Sequence, residues 1–233
     1  KKLKMSSKKG DGDDEDVIFQ QFKIILLGDG AVGKTSIANR FTDDKFQQSY
    51  KQTVGVDFFV RRLNITPTHT VTLQIWDIGG QSIGSKMITS YVAGAHAVLF
   101  CYDITNIESF ANLEDWYRVA SRTFDEEMPP FTVLIGNKND LKHLSVVRPE
   151  NHNKFAAENE MASFLMSAKN GDQVNKAFFK IAATLAGVGI NKTDLESKGT
   201  VVPAQIVDHA RHDPNVNNGQ VPDYTKRSGC TIS

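Results

Sequence analysis

The chain has 233 residues, 40% of them hydrophobic, and its 27 Lys and Arg balance 27 Asp and Glu. That length supports one domain with tails or two small ones, and zero net charge excludes a globally basic nucleic-acid binder. No apolar run approaches the ~18 residues of a membrane helix, and two cysteines, Cys101 and Cys230, cannot build a disulfide framework, which points to a reducing, cytoplasmic compartment.

All 14 phenylalanines and both tryptophans lie between Phe19 and Phe179, so that stretch must hold the core. Residues 1–18, a basic run followed by an acidic one, read as a mobile extension. The folded domain is expected over 19–190. Residues 191–233 carry Pro203, Pro214 and Pro222 and a single aromatic, Tyr224, and read as a flexible tail. Inside the domain, Phe22 to Leu27 is a short apolar run ending in glycine, which predicts a buried strand. Ser36 to Phe41 has helical character. Phe58 to Ile65 and Val71 to Asp77 predict two strands joined across residues 66–70 as a hairpin. Ala95 to Tyr102 is a further strand. Ile107, Phe110, Leu113, Trp116 and Tyr117 recur at three- and four-residue spacing and predict one helix. Thr132 to Ile135, a helix from about Glu150, Ser163 to Met166 and a helix from about Gln173 follow. Strands alternating with helices imply an α/β fold: a mostly parallel six-stranded sheet with one antiparallel edge strand and helices on both faces.

Gly28-Asp29-Gly30-Ala31-Val32-Gly33-Lys34-Thr35 fits G-x-x-x-x-G-K-[ST], after a strand and ahead of a helix that continues through Ser36. Glycines let consecutive N–H groups turn inward toward phosphate oxygens, and the helix start adds its positive dipole end. Lys34 can reach the β- and γ-phosphates, and the Thr35 hydroxyl can bind Mg²⁺. A phosphate loop alone leaves base and reaction open. Asp77 ends the third strand, where a carboxylate acting on Mg²⁺ through water belongs. Gly80 can offer an N–H to the γ-phosphate, and Gln81 can hold a water in line for attack. Asn137-Lys138-Asn139-Asp140 follows another strand; a carboxylate at Asp140 accepts the paired N1–H and N2–H₂ donors of guanine, which adenine lacks. Ser167-Ala168-Lys169 follows the last strand and can offer a backbone N–H to guanine O6. With Thr53 in Thr53-Val-Gly55, these motifs fall in order at strand ends, where open parallel sheets bind ligands. The expectation is a guanine-nucleotide site.

Over about Phe22 to Leu185 these motifs resemble the Ras superfamily of small GTPases with its P-loop G domain. Val54-Gly-Val-Asp-Phe58, Leu73-Gln-Ile-Trp-Asp77 and Tyr102-Asp-Ile-Thr105 are similar to the Rab family. The run Trp76 to Met87 and the single late cysteine are most like the divergent Rab subfamily numbered twenty-eight. The resemblance implies a slow GTPase with Mg²⁺ as cofactor and Gln81 and Lys34 as catalytic residues. It implies that Thr53 binds Mg²⁺ and γ-phosphate, Phe46 packs on guanine and Tyr50 covers the phosphates. Lys45 to Phe58 and Gly80 to about Tyr91 become two switches, and Phe58, Trp76 and Tyr91 an effector surface. Implied partners are effectors, an exchange factor and an activating protein, with no nucleic acid and a monomeric state. No arginine lies between Arg40 and Arg61, so an arginine finger is expected in trans. Gly79 stands where Rabs usually carry Ala, and paired glycines are expected to loosen the second switch. Gly79-Gly80-Gln81 also resembles Arf proteins, although the N-terminus lacks a Met-Gly start.

Cys230-Thr-Ile-Ser233 fits C-a-a-X, which predicts prenylation at Cys230 and reversible attachment to a cytoplasmic membrane face. A rival reading is a nucleotide-dependent interaction module with little hydrolysis. A small P-loop kinase fits poorly beside the guanine motifs.

Overall fold

The computed structural model describes residues 3–4, 17–84, 87–191, 193 and 195. Chain order runs β1 (Leu3–Lys4), β2 (Ile18–Leu27), α1 (Lys34–Asp43), β3 (Val56–Thr66), β4 (His69–Ile78), α2 (Met87–Val92), β5 (Ala97–Asp103), α3 (Ile107–Ala111), α4 (Leu113–Ser121), β6 (Phe131–Asn137), α5 (Pro149–Glu158), β7 (Ala162–Leu165) and α6 (Val174–Ala186). Short 3₁₀ turns cover Gly80–Gly84 and Asn139–Leu144.

The main sheet has the order β3-β4-β2-β5-β6-β7, and only the β3–β4 pair within it is antiparallel. This is the predicted G-domain architecture. One addition lies in the N-terminal extension, where mobility was expected: Leu3 and Lys4 pair antiparallel with Phe19 and Ile18. The physical reason is an open edge. β4 pairs with β2 from Ile18 onward, whereas β5 joins only from Ile24, so the start of β2 has unpaired backbone on the β5 side.

Period-two alternation divides the core. Ile24 and Leu26 face one layer with Leu99, Cys101, Val133 and Ile135 beneath α1 and α6. Ile25 and Leu27 face the other with Val98, Phe100, Tyr102 and Leu134, beneath α2, α4 and α5. β5 is buried at every position, which is why its sequence reads as an unbroken apolar run. The hairpin turn contracts to Pro67-Thr68, because Thr66 and His69 still pair. The predicted helix over Ile107–Tyr117 is divided at Asn112 into α3 and α4. α2 carried no prediction; six residues are too few for a helical period to register.

Candidate nucleotide site

Parallel strands bring their C-terminal ends to one edge, and every nucleotide motif predicted from sequence sits there or in an adjoining loop. Gly28 follows β2, Asp77 lies at the end of β4, Asn137 ends β6, and Ser167 follows β7. Together these loops enclose a cavity of about 410 Å³, a size that suits a cofactor-like ligand. Gly30, Ala31, Gly33, Lys34, Thr35, Ser36, Phe46, Tyr50, Thr53, Gly80, Gln81, Asn137, Lys138, Asp140, Ala168 and Lys169 line it. Asp29, Val32, Asp77 and Ser167 stand behind the lining. Asn39, Gln47, Gln48, Ser49, Lys51 and Leu141 also line it without being predicted site residues; each lies near a motif residue but carries no spacing signal of its own.

α1 begins directly at Gly33 with no side-chain cap, so its first N–H groups remain available to an anion. Gly33 has φ +98°, and a Cβ there would lie 2.3 Å from Asn137 Nδ2, so only glycine allows this approach. Lys34 is buried, and its Nζ donates to the carbonyls of Gly28 and Asp29, each at 2.7 Å. An ammonium has three protons, so one remains to point at a phosphate. Burial lowers the Lys34 pKa, opposed by the nearby Asp77, Cys101 and Asp29. The Asp29 carboxylate turns away from the loop: Trp116 Nε1 donates to Oδ1 at 2.8 Å and Asn112 Nδ2 to Oδ2 at 2.7 Å. Asp29 can therefore serve the phosphates only through its backbone.

Beside Lys34, three oxygen ligands converge. Thr35 Oγ1 donates to Asp77 Oδ2 at 2.5 Å and lies 2.9 Å from Thr53 Oγ1, which is 3.3 Å from the same carboxylate oxygen. Asp77 is fully buried, and its Oδ1 has no hydrogen-bond partner among the described residues. Burial raises its pKa, while Thr35, Lys34 and Thr53 pull it down. Two hydroxyls and one carboxylate with an orphaned buried oxygen fit Mg²⁺, which binds protein oxygens sparsely and completes its shell with water and phosphate.

At the far end, Asn137 joins two loops: Nδ2 donates to the Val32 carbonyl at 2.8 Å, and Oδ1 accepts from the Ala168 N–H at 3.1 Å. Lys138 has a left-handed backbone, and its Nζ meets Asp103 Oδ2 at 2.6 Å. Asp140 Oδ1 accepts from Ser167 Oγ at 2.5 Å, which fixes the carboxylate beside the cavity.

The paired glycines correct one expectation. Gly79 and Gly80 are packed closely against neighbouring backbone rather than loose. A Cβ on Gly80 would meet Gly30 N at 2.1 Å, and one on Gly79 would meet the Thr53 carbonyl oxygen at 2.5 Å. Gly79 N–H donates to the Gly55 carbonyl, and Gln81 Nε2 to the Thr53 carbonyl, both at 2.9 Å. Gly79 thus lets the Thr53–Gly55 segment lie directly against the Gly79–Gln81 turn.

Phe46 packs partly against the core, and Tyr50 is exposed with its hydroxyl over Gly30. Phe58 and Trp76 meet edge to face with centroids 4.6 Å apart, and Trp76 lies 6.5 Å from Tyr91. Phe58 is 60% exposed, so the three rings form a contiguous, partly open surface. Lys23 Nζ stands 4.0 Å over the Trp76 ring. Cys230 and the C-a-a-X motif lie outside the described residues. Among the described residues, no helix is long and apolar enough to cross a membrane.

A model of the Ras family matches residues 23–187. The chain is 40% identical to Ras-related protein Rab-28 of Caenorhabditis elegans, over 94% of this chain and 89% of that protein. It is 39% identical to Ras-related protein RABD2b of Arabidopsis thaliana, over 70% and 80% of the two chains. Identity to Ras-related protein Rab-10 of Caenorhabditis elegans is 35%, over 79% and 90%.

Proposed function

The chain belongs to the Ras family, within the Rab group of small GTPases, and from that premise we propose that it binds GTP and GDP at this edge, hydrolyses GTP slowly and switches effector binding in membrane trafficking. The observation that carries the reading is the single cavity in which phosphate loop, oxygen cluster and Asp140 stand in the order of a nucleotide's phosphates, metal and base.

Asp140 takes the guanine N1–H and N2–H₂ pair, and the Ser167–Lys169 backbone answers O6. Phe46 lies against the base and Tyr50 over the phosphates. The α1 amides and the third Lys34 proton hold phosphate oxygens and stabilise charge that develops on them during transfer. Thr35, Thr53 and Asp77 would hold Mg²⁺, which would supply positive charge to offset that of the phosphates. Gln81 and the Thr53 carbonyl meet in front of the phosphate loop and together orient the attacking water. Gly80 gives its N–H to the γ-phosphate, and loss of that group frees both switches. No described residue supplies a cis arginine to the site, which supports an activating protein that brings one. Phe58, Trp76 and Tyr91 present the effector surface. Cys230 carries a prenyl group that holds the protein reversibly at a membrane.

Fluorescent GDP titration tests the base assignment. Asp140→Asn replaces an acceptor pair by one acceptor and one donor, so GDP affinity is expected to fall at least 100-fold while xanthosine diphosphate gains. Unchanged GDP affinity would remove Asp140 from the role.

A further inference from the structure

Arg40, near the end of α1, does not line the cavity, yet its guanidinium is committed to two loops that border it. Nε donates to the Ala168 carbonyl at 2.9 Å, and one terminal nitrogen donates to the Lys169 carbonyl at 2.7 Å. The other terminal nitrogen reaches Asp44, donating to its carbonyl at 2.9 Å and its carboxylate at 3.0 Å. The Arg40 side chain is only 14% exposed and its bond to Ala168 is partly buried, while those to Lys169 and Asp44 lie at the surface. Gly171, at φ +82°, packs beside it; a Cβ there would stand 3.5 Å from Arg40 Cδ.

The rest of the 167–172 loop closes on itself. Ser167 N–H donates to the Asp172 carbonyl at 3.0 Å, and Gly171 N–H to the Ser167 carbonyl at 2.9 Å. Neither bond orients the two peptides after Ala168 and Lys169. Arg40 holds both of their carbonyls, and within the loop only a long bond from the Asn170 N–H to Ser167 Oγ, at 3.4 Å, joins it on the second peptide. In a planar trans peptide the carbonyl and the following N–H point in opposite directions. Fixing the Ala168 carbonyl toward α1 therefore fixes the Lys169 N–H toward the opposite side. Asp44 immediately precedes Lys45, where the first switch begins, and its backbone is left-handed at φ +53°. One planar fork thus spans the base loop and the hinge of the first switch. A lysine, with a single compact ammionium head, has no fork to span them.

We infer that Arg40 is a positioning residue that holds the Ala168–Lys169 backbone in register with a bound guanine, ties it to the Asp44 hinge, and thereby sets how long the nucleotide stays. The inference rests on the guanine reading of that loop. It assigns Arg40 no contact with nucleotide or Mg²⁺; its effect passes through two carbonyls.

The test follows release of a fluorescent GDP from the full chain, chased with unlabelled GDP, with and without removal of Mg²⁺. Arg40→Gln is expected to release GDP about 10- to 100-fold faster, as loss of charge-assisted bonds to both carbonyls implies. Arg40→Lys should fall between it and the wild type, and Asp44→Asn should accelerate release less. The factor by which Mg²⁺ removal speeds release should stay at the wild-type value in all three, because the Thr35–Asp77 end is untouched. Wild-type release from Arg40→Gln would overturn the inference. So would loss of the Mg²⁺ factor, which would make Arg40 a general strut of α1. If the Gln variant does not fold, wild-type release from Arg40→Lys overturns it instead. A wild-type chain that retains no GDP would sink the guanine reading itself, whereas retention with indifferent variants would sink only the role of Arg40.

Discussion

Gly80→Ala is the sharpest steric perturbation of the switch. The added Cβ would lie 2.1 Å from Gly30 N, 2.5 Å from Asp29 C and 2.7 Å from Gly30 Cα. These are backbone atoms of the phosphate loop and cannot swing aside. An ordinary contact of 3.4 Å requires the second switch to withdraw by about 1.3 Å, from 3.4 − 2.1. That displacement takes the residue-80 N–H out of hydrogen-bond reach of a γ-phosphate placed against the loop. A bond to a charged acceptor contributes about 1.5–3 kcal/mol, or roughly 10- to 150-fold. GDP has no γ-phosphate and makes no such bond. Titration with fluorescent GDP and a non-hydrolysable GTP analogue should therefore show GDP affinity within about threefold of wild type and analogue affinity down by roughly 10- to 150-fold. Single-turnover hydrolysis should fall with it. Equal affinity for the analogue in variant and wild type would refute the contact between Gly80 and the γ-phosphate.

Four further outcomes follow from the same structure. Gly79→Ala should separate the switches, since its Cβ would lie 2.5 Å from the Thr53 oxygen; faster amide exchange at residue 79, whose N–H now bonds Gly55, reads this out, and unchanged exchange would contradict it. Trp116→Phe removes the indole donor to Asp29 at 2.8 Å, and urea unfolding should lose about 2 kcal/mol, with no loss meaning that Asn112 alone suffices. His152 is buried against the Tyr102 hydroxyl at 3.0 Å, and burial lowers its pKa. The unfolded chain therefore binds the proton more readily, so stability is full above an unfolded pKa of about 6.5 and is lost as pH falls through the lowered folded value. Chemical denaturation of His152→Gln between those limits should show a shallower pH slope; an unchanged slope would assign the dependence elsewhere, His96 included. Burial pushes the Cys101 thiol up to about 12, so alkylation at neutral pH should leave it unmodified in the native chain and modify it after denaturation.

Much of the fold was legible because the strands bury both faces. Ile24 to Leu27 and Val98 to Tyr102 are apolar runs that no surface helix would carry, and each is followed by a polar motif at a strand end. The site was legible for the same reason: strand-end motifs of a parallel sheet must converge, whatever their separation in sequence. What escaped the sequence depends on packing between distant residues. Nothing near Asp29 signals that Trp116 and Asn112 will turn its carboxylate away. Paired glycines read locally as freedom, and only the opposing Thr53 carbonyl and Gly30 backbone reveal them as close approaches. The break between α3 and α4 falls at Asn112, whose apolar neighbours keep an unbroken helical period. Pairing of Leu3 and Lys4 depends on how far β5 falls short of β2, which no local pattern encodes.

On the proposed function, Gln81 sets the hydrolysis step of a timed switch. The direct measurement loads the purified chain with GTP and Mg²⁺ and follows bound GTP and GDP through a single turnover, beside Gln81→Leu. The account predicts slow conversion in the wild type that an activating protein's arginine accelerates by roughly 10³- to 10⁵-fold, and retained GTP binding without stimulated conversion in the variant. Equal conversion in both chains would contradict it.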